Sequence, residues 1–207
     1  MSYSTACCSI PPVSSNYEAI GVMENVGDLE VYTVGPADAK KAIVVMYDIF
    51  GLHPNTKQFA DLLAKYCKYK VVMPHFFKGH DCTMEILQDR PRLMEWIGKY
   101  GSIEVITPQL NSVVEWLRSS GIHIGGIVGL CWGAKIAAQY SAIDSPRFFA
   151  GIVMIHPSFV DNKDAEVASA PVLALPSKDE PDMVYQKKKV DMSVVVVLMN
   201  HVDFMID

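Results

Sequence analysis

Short apolar segments alternate with amphipathic ones along most of the chain. Leu29–Val34 alternates apolar and polar residues, which is typical of a half-exposed strand, whereas residues 43–47 are apolar throughout. Unbroken runs of this kind are typical of parallel strands that are covered on both faces. Five more strands are predicted on the same grounds, at residues 70–74, 126–130, 151–155, 171–175 and 194–199.

The segments between these strands have helical spacing. Helices are predicted over residues 54–66, over residues 83–100 with an interruption at Pro91, from Thr107 to Gly121, and over residues 134–140. The third of these helices is predicted to open at Thr107-Pro108, because proline suits the first turn of a helix. Strands and helices that alternate in this way favour an α/β fold with a mostly parallel, doubly wound sheet flanked by helices.

Length, charge and cysteine content narrow the class of protein. The 207 residues are expected to form one domain over residues 1–207, with residues 1–20 as a flexible tail. The net charge of −5 gives no reason to expect nucleic acid or an acidic membrane as a partner. The most apolar run, residues 194–199, is too short to span a bilayer, and the five cysteines lack disulfide-framework spacing. We therefore expect a cytoplasmic protein with reduced thiols.

The sequence Gly129-Leu130-Cys131-Trp132-Gly133 lies between a predicted strand and a predicted helix. Strand, sharp turn and helix are the context in which a G-x-S-x-G motif exposes a nucleophile above the end of a sheet. Cys131 stands at the serine position, and the glycines beside it permit a strained turn. The alternative is a small core residue, because unmodified cysteine is often buried. The flanking strand and helix favour the nucleophile.

Side chains capable of chemistry follow several predicted strands, at the edge where ligands bind in such sheets. Asp48 follows the first central strand, Lys78 comes shortly after the next, and Cys131 follows the elbow strand. Asp179 and His201 follow the last two strands, so nucleophile, acid and histidine occur in the order expected for a hydrolase of this kind. Simpler roles stay open: a turn or cap for Asp48 and Asp179, and a solvated surface position for Lys78 and His201.

Four segments at the ends of the predicted strands stand out: Asp48-Ile49-Phe50-Gly51, Gly129-Leu130-Cys131-Trp132-Gly133, His156-Pro157-Ser158 and Lys178-Asp179-Glu180-Pro181. Together they resemble the dienelactone hydrolase family, a branch of the α/β-hydrolases with a cysteine nucleophile. The resemblance covers most of residues 28–205. It implies the α/β-hydrolase fold and hydrolysis of a small carboxylic ester or lactone through an acyl-enzyme. It also implies a triad of Cys131, His201 and Asp179.

The resemblance assigns roles to residues around the triad as well. The backbone N–H groups of Ile49 and Trp132 would form the oxyanion hole, and Asp48 would modulate the resting thiol. Lys78, by its charge, could bind a substrate carboxylate. No cofactor is implied, and the histidines and cysteines lack metal-site spacing, so no metal is expected. The expected partner is a small ester or lactone, and the expected state is a monomer or weak homodimer.

The C-terminal residues depart from the family pattern. The resemblance implies a His-Gly-Phe sequence at the catalytic histidine and a further helix after the last strand. The chain instead has Asn200-His201-Val202-Asp203-Phe204 and ends at Asp207. We therefore expect the C-terminal helix to be missing and the C-terminus to be truncated. The competing hypothesis for function is a catalytically silent hydrolase-fold protein that binds a small ligand or a partner.

Overall fold

A computed structural model describes residues 15–177 and 194–196, and the strands in these residues form one sheet. The strands are β1 (Val22–Val26), β2 (Leu29–Val34), β3 (Ala42–Met46), β4 (Lys70–Pro74), β5 (Gly125–Leu130), β6 (Phe149–Ile155), β7 (Val172–Leu175) and β8 (Val194–Val196). Their order across the sheet is β1-β2-β4-β3-β5-β6-β7-β8. β2 is antiparallel to both its neighbours, β1 and β4, and all other neighbouring strands are parallel. The predicted mostly parallel, doubly wound sheet is therefore confirmed.

The helices within the described ranges connect these strands. They are α1 (Pro54–Cys67), α2 (Met84–Gln88), α3 (Arg90–Tyr100), α4 (Ile103–Ser119), α5 (Trp132–Ser141) and α6 (Asn162–Val167). The predicted interruption at Pro91 is confirmed: α2 ends at Gln88, and the side chain of Asp89 caps α3 by accepting from the Arg92 N–H at 3.2 Å. Pro91 lies in the first turn of α3, where a missing N–H is tolerated.

The predicted start of α4 at Thr107-Pro108 is wrong, because the helix begins at Ile103 and contains Pro108 in its interior. Ile106 in the additional turn is fully buried and extends the apolar stripe that continues at Leu110. This burial offsets the backbone hydrogen bond that Pro108 cannot donate. Tertiary packing therefore overrides the local preference of the proline.

The first strand was not predicted from the sequence. β1 forms a hairpin with β2 through Gly27 and Asp28, and Gly27 has a left-handed φ of 64°. Val22 and Met23 of β1 are exposed, so the strand lacks the apolar alternation that marks a half-buried one. Its two-residue Gly-Asp connection was the available signal.

The segment that precedes β1 is tied to the domain by one buried carboxylate. Asp61 on α1 accepts hydrogen bonds from Tyr17 Oη at 2.9 Å, from Ile20 N at 3.0 Å and from Tyr32 Oη at 2.6 Å. Asp61 is 2% exposed, and a buried carboxylate needs such donors. Residues 17–20 are thus fixed against α1 and β2.

No helix in the described part of the chain combines the length and apolar character needed to cross a membrane.

Candidate active site

Cys131 occupies a strained turn between β5 and α5. Its φ of 52° and ψ of −112° are uncommon for a residue with a side chain. Three backbone hydrogen bonds hold the turn: the Cys131 N–H donates to Ile155 O at 3.0 Å, and the Cys131 carbonyl accepts from Ala134 N at 3.2 Å and Ser158 N at 3.1 Å. The side chain is partly exposed. This is the geometry that the elbow motif predicts.

Both glycines of the motif are needed for steric reasons. A Cβ on Gly129 would lie 2.5 Å from the carbonyl oxygen of Gly133 and 2.6 Å from the Ala134 nitrogen. A Cβ on Gly133 would lie 2.6 Å from the carbonyl carbon of Met46 and 2.7 Å from the carbonyl oxygen of Tyr47. The first glycine permits the sharp turn, and the second lets α5 start directly against the end of β3.

Sheet register brings the post-strand residues to a common edge. Met46 of β3 pairs with Gly129 of β5, and Gly129 pairs with Met154 of β6. Asp48, Cys131 and His156 each follow their paired residue by two positions. Because adjacent parallel strands are about 4.8 Å apart, these three residues leave the sheet side by side. The sequence prediction that Asp48 and Cys131 meet at one edge is supported by this register.

The loop after β3 is ordered by its own hydrogen bonds. Phe50 N donates to Asp48 Oδ1 at 2.8 Å, Gly51 N donates to Asp48 O at 3.3 Å, and Cys82 N donates to Ile49 O at 2.9 Å. The N–H of Ile49 takes part in none of these bonds. The second carboxylate oxygen of Asp48 lies 3.6 Å from Nε2 of His53.

The indole of Trp132 anchors the first residue of α5. It is 1% exposed, donates from Nε1 to Gly101 O at 2.7 Å, and packs among Tyr47, Phe76 and Phe77. The backbone N–H at the first position of a helix has no carbonyl one turn earlier to bond. A fixed N–H at Trp132 is therefore available at the base of the elbow, next to the loop that carries Ile49.

The loop after β4 carries the predicted Lys78. Its φ is 50°, its side chain is 44% exposed, and its Nζ forms an ion pair with Asp28 Oδ2 at 2.6 Å. Nearby, the carboxylate of Asp81 packs so closely against Gly51 that a Cβ on the glycine would clash with it. Burial raises the pKa of the Asp81 carboxyl, the Asp48 charge raises it further, and His75 opposes the shift.

The loop after β6 is braced from α6. Asp164 is buried and accepts from Lys135 Nζ at 2.6 Å, Gln139 Nε2 at 2.7 Å and Asp161 N at 2.8 Å. Lys135 and Gln139 belong to α5, so this network joins the elbow helix to the segment that bonds Cys131. Sequence reasoning did not single out Asp164, although Asp161 and Asp164 have the three-residue spacing of a capping box.

Comparison with known proteins decides the family. A sequence model of the dienelactone hydrolase family matches residues 29–207. The chain belongs to the dienelactone hydrolase family. An AIM2 family protein of Schizosaccharomyces pombe is 36% identical over an alignment of 166 residues that covers 76% of this chain and 65% of that protein. A carboxymethylenebutenolidase homolog of Pongo abelii is 30% identical over an alignment of 180 residues that covers 85% of this chain and 70% of that one.

Comparison with solved structures confirms the predicted α/β-hydrolase fold of this dienelactone hydrolase family member. A Klebsiella pneumoniae protein, provisionally named a dienelactone hydrolase, has a TM-score of 0.68 with 22% sequence identity. The match covers 87% of this chain and 85% of that one. The present chain spans 65% and 70% of the length of the two sequence relatives above.

Two predicted triad residues of this dienelactone hydrolase family chain, Asp179 and His201, lie outside the described residues. Their meeting with Cys131 stays a prediction. Over residues 15–177 and 194–196, no group of three or more His, Cys, Asp or Glu side chains is arranged to hold a metal ion. The residues at this edge that the sequence analysis did not single out are His53, Asp81 and Asp164.

Proposed function

We propose that the protein hydrolyses a small carboxylic ester or lactone, with Cys131 as nucleophile and with His201 and Asp179 completing a triad. The observation that carries the proposal is the backbone of Cys131, at φ 52° and ψ −112° between a buried strand and a helix. A cysteine with no chemical role gains nothing from such a strained turn, and strained turns of this kind recur at active sites.

The first half of the reaction forms an acyl-enzyme. His201 takes the thiol proton, and the thiolate attacks the carbonyl carbon, so that a carbon–sulfur bond forms and the carbonyl electrons move to oxygen. The N–H groups of Ile49 and Trp132 donate to that oxyanion. Collapse of the intermediate breaks the carbon–oxygen bond, and His201 returns its proton to the leaving alkoxide. Asp179 holds the imidazole in the required tautomer.

The second half releases the acid. His201 removes a proton from water, the hydroxide attacks the thioester carbon, and the carbon–sulfur bond breaks as the thiolate leaves. Release of the product returns the triad to its resting state. No metal or organic cofactor takes part in the proposed reaction. The carboxylate of Asp48 modulates the resting thiol by its charge. Lys78 binds a carboxylate of the substrate, which replaces Asp28 as the ion-pair partner of the Lys78 ammonium.

The closeness of Gly133 to Met46 supports the proposed oxyanion hole. Because the start of α5 rests on the end of β3, the N–H of Trp132 and the loop of Ile49 are held in a fixed relation. Preorganised donors of this kind lower the barrier without reorganisation during the reaction, and loss of one typically reduces the rate by about 10²–10³-fold. Cys67, Cys82 and Cys131 form no disulfide bond in the described part of the chain, which is compatible with the proposed location in the cytoplasm.

The test is hydrolysis of a small activated ester by purified Cys131→Ala. We expect kcat/KM to fall by at least about 10³-fold with an unchanged circular dichroism spectrum, since the covalent step is lost. Cys67→Ala, the same substitution at an exposed cysteine, should keep parent activity. Parent-like turnover by Cys131→Ala would refute the nucleophile.

The rate of cysteine alkylation distinguishes an enzyme from a catalytically silent binding protein of the same fold. In the enzyme, Cys131 reacts with iodoacetamide faster than Cys67, with a pH midpoint below about 8.5, the pKa of an ordinary thiol. Slow reaction at every cysteine, together with absent turnover, would support the silent binding protein instead.

A further inference from the structure

The Asp48 carboxylate has two neighbouring groups on which its charge can act, the His53 imidazole and the Cys131 thiol. Its Oδ1 accepts from Phe50 N at 2.8 Å, and its Oδ2 faces Nε2 of His53 at 3.6 Å. The register of β3 and β5 puts Asp48 beside Cys131 at the same sheet edge. A carboxylate in this position could turn its charge toward His53 or toward the thiol.

The backbone of His53 is fixed. Its N–H donates to Gly51 O at 3.1 Å and Thr56 Oγ1 at 3.2 Å, and its carbonyl accepts from Lys57 N at 3.1 Å. These bonds anchor the residue at the start of α1, immediately before Pro54. The imidazole is therefore aimed from a rigid helix terminus rather than from a loose loop.

The imidazole interacts with two carboxylates. About three quarters of the His53 side chain is buried, with 26% exposed, and Nε2 itself is buried without a hydrogen-bond partner in the described part of the chain. Asp48 faces it from the loop after β3, and Asp81 interacts with it electrostatically from the loop after β4. At 3.6 Å the contact with Asp48 is too long for a hydrogen bond, and a small movement of either side chain would close it.

A negative charge next to a thiol opposes formation of the thiolate. We infer that His53 is a positioning residue of the active site, which keeps the Asp48 carboxylate turned toward α1 and its charge away from the Cys131 thiol. The inference rests on the proposed function, in which the Cys131 thiolate is the nucleophile. Nothing in the pattern of the triad calls for His53, and its role comes from the placement of its side chain.

The test is a double-mutant cycle on the rate at which iodoacetamide alkylates Cys131. The proteins are the parent, His53→Asn, Asp48→Asn and the double variant. Asparagine is a favourable residue at a helix N-cap, so α1 keeps its start, while the shorter amide no longer reaches Asp48. The rate is followed by peptide mapping from pH 6 to pH 10, with Cys67 as the internal reference.

His53→Asn should slow alkylation at pH 7 by about tenfold, which corresponds to a rise of one unit in the pKa of the thiol. In the Asp48→Asn background the same substitution should have no effect, because the charge that His53 restrains is gone. His53→Gln, whose longer amide can still donate toward Asp48, should recover most of the parent rate. His123→Asn, an exposed histidine just before β5 at the opposite edge of the sheet, should leave it unchanged.

Two results would overturn the inference. One is a parent-like rate for His53→Asn; the other is an equal loss in both Asp48 backgrounds, which would mean that His53 acts only through the structure of α1. Failure of the proposed function has a different signature: Cys131 of the parent would react no faster than Cys67, and the inference would fall with it.

Discussion

Gly133 at the start of α5 is in direct backbone contact with Met46 at the end of β3. The approach is so close that a Cβ on the glycine would lie 2.6 Å from the carbonyl carbon of Met46. The contact joins the helix that follows the elbow to the strand that leads into the Asp48 loop. Two elements far apart in sequence are thereby held in one fixed arrangement at the candidate active site.

Gly133→Ala should therefore destabilise the protein and disturb the site together. The methyl group meets backbone rather than a flexible side chain, so α5 must move, and we expect a loss of about 1–3 kcal/mol in the free energy of unfolding. Urea denaturation measures the loss. Gly98→Ala is the matched control in α3: apart from the backbone of its own helix, no atom of the described residues lies within 4 Å of its Cβ position, and stability should rise by about 0.5–1 kcal/mol. Equal behaviour of the two variants would contradict the steric argument.

Asp164→Ala should strongly destabilise the joint between α5 and α6. The substitution removes the acceptor for Lys135 and Gln139 and leaves the mostly buried Lys135 ammonium without its shortest ion pair, at 2.6 Å. We expect a loss of about 3 kcal/mol in unfolding free energy. Glu166→Ala, an exposed position on the same helix, should change it by less than about 0.5 kcal/mol. A loss below 1 kcal/mol for Asp164→Ala would show that the network contributes little.

In Tyr140→Phe, the free energy of unfolding should fall less steeply at alkaline pH than it does in the parent. Burial, assisted by the Asp144 charge, raises the pKa of Tyr140 from 10.0 to about 12. The unfolded phenol therefore ionises first, and the stabilisation that is fully present below pH 10 is lost as the pH rises toward 12. Phenylalanine has no proton to lose, so its stability should fall less steeply in that window.

At neutral pH the same variant should lose about 1 kcal/mol, because the hydrogen bond from Tyr140 Oη to Asn111 at 2.6 Å is absent. Urea unfolding at a series of pH values above 8 measures both effects. Tyr66→Phe makes the same change at an exposed tyrosine and should follow the parent curve. Parallel curves for Tyr140→Phe and the parent would disprove the burial argument.

Asp81→Asn should raise the melting temperature at pH 7. Burial raises the pKa of the Asp81 carboxyl above 3.8, so its contribution to stability is fully present below that value and is lost as the pH rises through the folded pKa. At neutral pH the charged carboxylate is unfavourable, and its Oδ1 is buried without a hydrogen bond in the described residues. Calorimetry at pH 3 and pH 7 is the measurement, with exposed Asp38→Asn as control. A lower melting temperature at pH 7 would mean that the contact with His75 outweighs desolvation.

The local elements and the family could be predicted from the order of residues along the chain. Continuous apolar runs marked the buried parallel strands, Pro91 marked the break between α2 and α3, and the Gly-x-Cys-x-Gly pattern marked the turn at Cys131. These features depend on hydrophobic periodicity and on the backbone freedom of single residues. Both are local properties of the sequence. Strand order in a doubly wound sheet also let the sequence predict that Asp48 and Cys131 share an edge.

Contacts between groups far apart in the chain could not be predicted in this way, because they depend on how the elements pack. The start of α4 depended on burial of Ile106, the closeness of Gly133 to Met46 on the docking of α5 against β3, and the contact between His53 and Asp48 on the path of the loop between β3 and α1. Such contacts leave no periodic trace in the sequence. They arise because close packing and strand register, which involve residues far apart in the chain, set distances that local preference does not.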